Sequence, residues 1–199
     1  LFPGFDLTTA GGFLQLLVQL LFIVVGFAAV TLVSGWATDE TSGRLETILA
    51  APLSRRSWAV RSGLGGFAAI LLMTVIVALC VGLGAVSSGS DALTPMAGTF
   101  ALGLFAAALA GVGFAIGGIF RPSIAASAVA VVVVATYLID LLVPAFQLPD
   151  GVRQLALTAH LGQPMIGEWD VAGVVACLAL AAGGLALGGL GFARRDVAH

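Results

Sequence analysis

The chain predicts an all-α fold, a polytopic transmembrane helical bundle, and three observations carry that prediction. Hydrophobic residues make up 60% of its 199 residues and charged residues only 9%, whereas soluble domains are nearer half apolar and a quarter charged. Five largely uncharged runs are each long enough to cross a bilayer, which takes about 20 apolar residues: 11–36, 60–86, 95–120, 123–144 and 171–193, with only Arg61 at the edge of the second and Asp140 inside the fourth as charged exceptions. The runs also lack the polar face that a helix of a soluble core keeps toward water. A closed barrel is the other structure that spans lipid, but its strands alternate apolar and polar residues. Residues 128–135 are apolar at every position, so helices are expected.

The first span is expected over Gly11–Trp36. Gln15 and Gln19 lie four apart on one face, which gives them two readings: a polar lining for a pathway, or hydrogen bonds between helices. After it comes a polar island, residues 39–56. Seven of the eighteen charged residues fall between Asp39 and Arg61. Thr38 is placed to N-cap a short cytoplasmic helix over residues 38–57, with Asp39 and Glu40 in its first turn against the helix dipole. Leu45, Ile48 and Leu49 then share one apolar face, Arg44, Glu46 and Thr47 occupy the rest, and Pro52 ends the segment. A solvated loop with a membrane-lying helix fits the same residues.

The second span is expected over 60–86. The connection Ser87–Thr94 reads as a simple turn, with Pro95 opening the third span. The tight Phe120–Arg121–Pro122 turn leads into the fourth. Asp140 lies near the far end of that span, one turn from Tyr137, where it either lines a cavity or reaches the interface; a carboxylate at the bilayer centre costs about 2.5–3.5 kcal/mol on insertion scales. Residues 145–170 are expected to hold an interfacial or re-entrant helix capped by Asp150, carrying Val152, Leu155, Ala156 and Ala159 on one face and stopped by Gly162 and Pro164. An ordinary external loop is the other reading. In the third and last spans, Gly113 and Gly117, and Gly184 and Gly188, form small-x-x-x-small pairs that let helices approach closely.

Orientation follows from the arginines, since the chain has no lysine. Seven of eight (44, 55, 56, 61, 121, 194 and 195) fall on one set of alternating loops, and only Arg153 falls on the other. The positive-inside pattern puts the island and the C-terminus in the cytoplasm. Five spans then put Leu1 outside, so a further helix is expected upstream, with a cleaved signal peptide as the other reading.

Several chemistries are excluded. A P-loop needs its lysine. The glycine pattern at residues 63–66 lacks the strand and sheet of a dinucleotide fold. No G-x-S-x-G occurs. His160 and His199 fall on opposite sides, and Cys80 and Cys177 sit within spans, so no metal site is expected. The net charge of −2 argues against nucleic acid as a partner.

The sequence Asp39-Glu40-Thr41-Ser42-Gly43-Arg44-Leu45-Glu46-Thr47-Ile48-Leu49-Ala50-Ala51-Pro52-Leu53-Ser54-Arg55 between two spans resembles the permease subunits of type-2 ATP-binding-cassette exporters. The similarity is to the bacterial antibiotic and multidrug group, including polyketide antibiotic exporters. Leu157–His160 before the last span and Gly191-Phe192-Ala193-Arg194-Arg195-Asp196 at its end agree with it. The resemblance implies five spans of a six-span unit, as a fragment or as the C-terminal half of a longer permease. It implies that the island is the coupling helix that docks on a separate ATPase. Leu45, Ile48 and Leu49 would fill an apolar cleft there, while Glu40, Arg44 and Glu46 form charge pairs and Gly43 belongs to the matching motif. ATP and magnesium would bind that partner, and no cofactor this chain. The other partners would be a second permease half or copy and membrane lipid, in the bacterial cytoplasmic membrane. The cargo implied is a hydrophobic or amphipathic antibiotic or drug. An ion-gradient-driven transporter, a lipid or polysaccharide exporter permease, a non-transporting scaffold and an intramembrane enzyme are the alternatives; the last lacks a nucleophile and base.

Overall fold

A computed structural model of the protein describes residues 10–41 and 55–194. In chain order these form α1 (Ala10–Thr41), α2 (Arg55–Ser87), α3 (Leu93–Ile119), α4 (Pro122–Phe146), the single turn α5 (Asp150–Arg153) and α6 (Val171–Arg194). The five long helices each contain a stretch apolar and long enough to cross a membrane. Between α5 and α6 lie two 3₁₀ turns, Leu157–His160 and Pro164–Ile166. The second is the tip of a minimal antiparallel hairpin, β1 (Gly162–Gln163) against β2 (Glu168–Trp169).

The helices overrun the apolar runs. α1 has 32 residues and α2 has 33, so at 1.5 Å per residue each is about 48–50 Å long, against a hydrocarbon core of about 30 Å. Thr38 does not open a new helix. It lies within α1, and its hydroxyl donates to the Ser34 carbonyl at 2.8 Å, the back-bond available to a threonine inside a helix. The coupling helix expected over 38–57 therefore cannot start at Thr38. Residues 38–41 continue α1, residues 55–57 already belong to α2, and 42–54 lie outside the described residues.

α3 starts at Leu93 rather than Pro95 because Asp91 caps it. The Leu93 and Thr94 N–H groups donate to its two carboxylate oxygens at 3.2 and 3.0 Å, satisfying donors that the first turn otherwise leaves open. Hydrogen bonds from the Thr94 side chain, then from the Thr94 and Leu93 backbone, hold the Asp91 carboxyl below the usual carboxylate range. A depressed pKa contributes stability above the ordinary carboxylate range, and that contribution fades as pH falls through the lowered value. Asp91→Ala is expected to lower the melting temperature in detergent at neutral pH, with the gap to wild type closing in acid.

α4 begins with Pro122 in its first turn, where the missing N–H costs nothing. It runs past Pro144 to Phe146 and stops at Gln147, which adopts the left-handed conformation (φ 52°).

α3 is the hub. Of its membrane-crossing stretch 61% is buried, against 22–28% for the other four. Glycine makes this possible. A Cβ on Gly184 would run into the backbone of Gly111, one on Gly118 into the Gly188 carbonyl, and one on Gly188 would lie 2.5 Å from the Phe114 carbonyl. α3 and α6 thus touch backbone to backbone, the contact that drives helix association where lipid removes the hydrophobic force. The other glycine pair does a different job: Gly113 seats Val33 and Gly117 seats Trp36, both from α1. α4 packs on α1, with Val133 against Gly26, and α2 packs on α3 and α6.

Candidate functional site

Two of the three polar residues singled out in the spans, Gln15 and Asp140, are held by the segment after α4. Leu161, Pro164 and Met165 are buried, and the 3₁₀ turn at 164–166 packs chiefly against α3 and next against α1. Gly98 of α3 provides the seat: a Cβ there would lie 2.5 Å from the Pro164 carbonyl and 2.8 Å from the Met165 Cα. The segment is a cap folded back onto the bundle.

Its helix is shorter than the sequence predicts. α5 ends at Arg153, and Ala156 is extended (φ −81°, ψ 131°) before the next turn begins. The break has a cause in side-chain bonding. The Thr158 hydroxyl donates to Asp140 Oδ2 at 2.5 Å, and the His160 ring bonds the Gln154 carbonyl at 2.8 Å. A short isolated helix is marginal by itself, so extending it would gain little.

Gln15 is 3% exposed, and its Oε1 accepts the Met165 N–H at 3.1 Å. Asp140 is half-buried beside a narrow crevice lined by Phe22, Phe105, Thr136 and Tyr137. Gln15 and Asp140 come from different helices and converge on the cap rather than on each other. Gln19 is half-buried one turn along α1. Thr158 and Met165, the partners in these two latches, carry no signal in the sequence, because one is a hydroxyl in a loop and the other contributes only its backbone.

At the arginine-rich end the structure adds an aromatic cluster. Trp36 of α1 lies 6.3 Å from Trp58 of α2 with the rings near parallel (18°), and 5.3 Å from Phe114 of α3 at 89°. Phe192 of α6 completes it, 5.4 Å from Trp58. The Trp36 indole N–H is buried with no acceptor among the described residues, so ring packing holds this tryptophan in place. Four helices are joined here, at the ends that flank residues 42–54. The two tryptophans on either side of the island were the available signal, since tryptophan concentrates at membrane interfaces. Of the residues expected to couple to an ATPase, Glu40 falls in the last turn of α1. Gly43, Arg44, Leu45, Glu46, Ile48 and Leu49 lie outside the described residues.

A groove of about 450 Å³ lies between α1 and α2, floored by α3; none of Gln15, Gln19 and Asp140 lines it. Among the described residues no three of His, Cys, Asp and Glu cluster as metal ligands would.

No curated protein matches the chain. The family model described as "Multidrug efflux system permease Rv1217c, C-terminal domain" matches residues 4–193. That covers all five membrane-crossing helices, the cap and the arginine-rich connection, and so the chain belongs to this family of multidrug efflux permease domains.

Proposed function

We propose that this permease domain works in an ATP-driven exporter, in which residues 42–54 take up motion from a separate ATPase and pass it to the bundle through α1 and α2. The observation that carries this reading is the aromatic weld. α1 and α2 run beyond the apolar core on either side of residues 42–54, and the Trp36–Trp58 stack ties both to Phe114 and Phe192. A displacement of residues 42–54 would move four helix ends together rather than bend one loop.

Three further points support it. The chain lacks lysine, so it has no standard P-loop, and energy from ATP would have to enter through a partner that binds ATP and magnesium. The arginine distribution favours a cytoplasmic position for the island and the C-terminus, in the bacterial inner membrane. The resemblance of residues 39–55 to coupling segments assigns Glu40, Arg44 and Glu46 to charge pairing, and Gly43, Leu45, Ile48 and Leu49 to the docking motif and its apolar face. A second permease half or copy would complete the pathway, and hydrophobic or amphipathic drugs are the cargo. An ion-driven mechanism favours a carboxylate deep in the membrane; Asp140 instead bonds Thr158 of the cap.

Arg44→Glu and Glu46→Arg, each made in the complete permease with its ATPase, are expected to cut drug-stimulated ATP hydrolysis and drug export severalfold, leaving membrane insertion intact. Coupling at the wild-type level in both variants would remove the assignment.

A further inference from the structure

Glycine brings two arginines from separate elements together at the arginine-rich end of the bundle. α3 and α6 touch there backbone to backbone: a Cβ on Gly191 would lie 2.7 Å from the Gly118 carbonyl and 2.9 Å from the Ile119 nitrogen. Arg121 follows Ile119 directly in the turn to α4, and Arg194 closes the last turn of α6. Both are exposed. We propose that Arg121 and Arg194 bind the headgroup of an anionic phospholipid, one whose two phosphates match the two guanidiniums, and that the apolar residues beside them seat its acyl chains.

The two guanidiniums are uncommitted. Neither forms an ion pair with a described carboxylate, and Arg121, at the capping position before α4, makes no side-chain hydrogen bond to that helix. Two like charges at the end of one seam raise the local positive potential. A phosphate answers it and accepts the two-pronged hydrogen bonds that guanidinium forms best.

An apolar wall lies beside the pair, and helical periodicity places it. α2 touches α3 at Gly103 and Phe114, and α6 at Leu185 and Gly189. At 3.6 residues per turn, Ile119 falls on the opposite flank of the seam from those contacts, and so do Leu187, Leu190 and Arg194, which share one face of α6 as i, i+3, i+7. Ile119, Leu187 and Leu190 are exposed on that flank, and Phe120, next to Arg121, is 63% exposed. Charge at the helix ends with an apolar wall running from it into the membrane has the layout of a phospholipid, whereas a soluble anion would leave the wall unused. Basic sites between helix ends take such headgroups in membrane proteins generally. Arg61 gives the contrast: it is also exposed, but it belongs to α2, on the other flank of the seam.

The test uses the permease at its natural length, purified in detergent and followed by native mass spectrometry as cardiolipin or, in parallel, phosphatidylethanolamine is added. The wild type is expected to hold cardiolipin in preference to phosphatidylethanolamine, and inorganic phosphate is expected not to displace it. Arg121→Gln and Arg194→Gln should each weaken cardiolipin binding about fivefold. The double variant should lose the preference, and Arg61→Gln should keep it. Four results would each overturn the proposal: no preference between the two lipids in the wild type, which needs no variant to fold; wild-type binding in the double variant; an equal loss in Arg61→Gln; and displacement of the lipid by inorganic phosphate.

Discussion

Gly184→Leu is expected to abolish accumulation of the folded permease, while Gly183→Leu, one residue away, leaves it at the wild-type level. The contrast rests on what each new side chain meets. A Cβ at Gly183 meets nothing within 4 Å, whereas one at Gly184 collides with the carbonyl, carbon and Cα of Gly111. Overpacking a core ordinarily costs about 1–3 kcal/mol because neighbouring side chains shift to absorb it. Here the obstacle is the backbone of the central helix, which cannot rotate away, so the cost falls at the top of that range or above it. α3 cannot retreat either, because its far side holds Trp36 and Val33 against Gly117 and Gly113. Gly111→Leu should reproduce the defect from the other side of the seam, where its Cβ meets the Leu180 carbonyl. Size-exclusion profiles and melting temperatures in detergent read both. Wild-type stability in Gly184→Leu would mean that α3 and α6 do not touch as described.

Gln15→Leu is expected to loosen the cap without unfolding the bundle. The substitution keeps an apolar side chain of similar length but removes the acceptor for the Met165 N–H. That donor is buried with its residue at 1% exposure. A buried donor left without a partner costs about 1–3 kcal/mol, a large part of what can hold so short a segment in place. Met165→Cys, made in a background free of Cys80 and Cys177, reads the result by its reaction rate with a thiol reagent. The rate should be low with Gln15 present and rise severalfold in the Gln15→Leu variant. Thr158→Val removes the second latch, to Asp140, and should add to the effect because the two bonds hold different turns of the cap. If labelling is as slow with both latches removed as with both present, the latches do not hold the cap.

Part of this was readable from the residues. The five spans were, because a helix in lipid satisfies its own backbone bonds and so needs only length and apolarity. Their ends were less so. Helix propensity continues into polar residues past the hydrocarbon boundary, so α1 reaches Thr41 and α2 starts at Arg55. Gly184 and Gly188 were recognisable as a packing pair by spacing. Their partner was not, and Gly113-x-x-x-Gly117, which looks the same, faces α1 instead of α6.

The candidate sites divide in the same way. Gln15 and Asp140 stood out because polar side chains in a span demand partners, but the sequence left open whether those partners were a pathway or other helices. The structure supplies the cap, through Met165 and Thr158.

By itself, then, the sequence determined that this is a five-helix membrane domain with its charge gathered between the first two spans, because burying charge in lipid is costly wherever the chain folds. Only the tertiary structure decided that α3 is the hub, that the tryptophans on either side of the island stack to join α1 and α2, and that the Gln15 and Asp140 latches close on the cap. Those outcomes depend on which helix faces touch, and an apolar run with little polar face does not encode which of its faces will meet a neighbour.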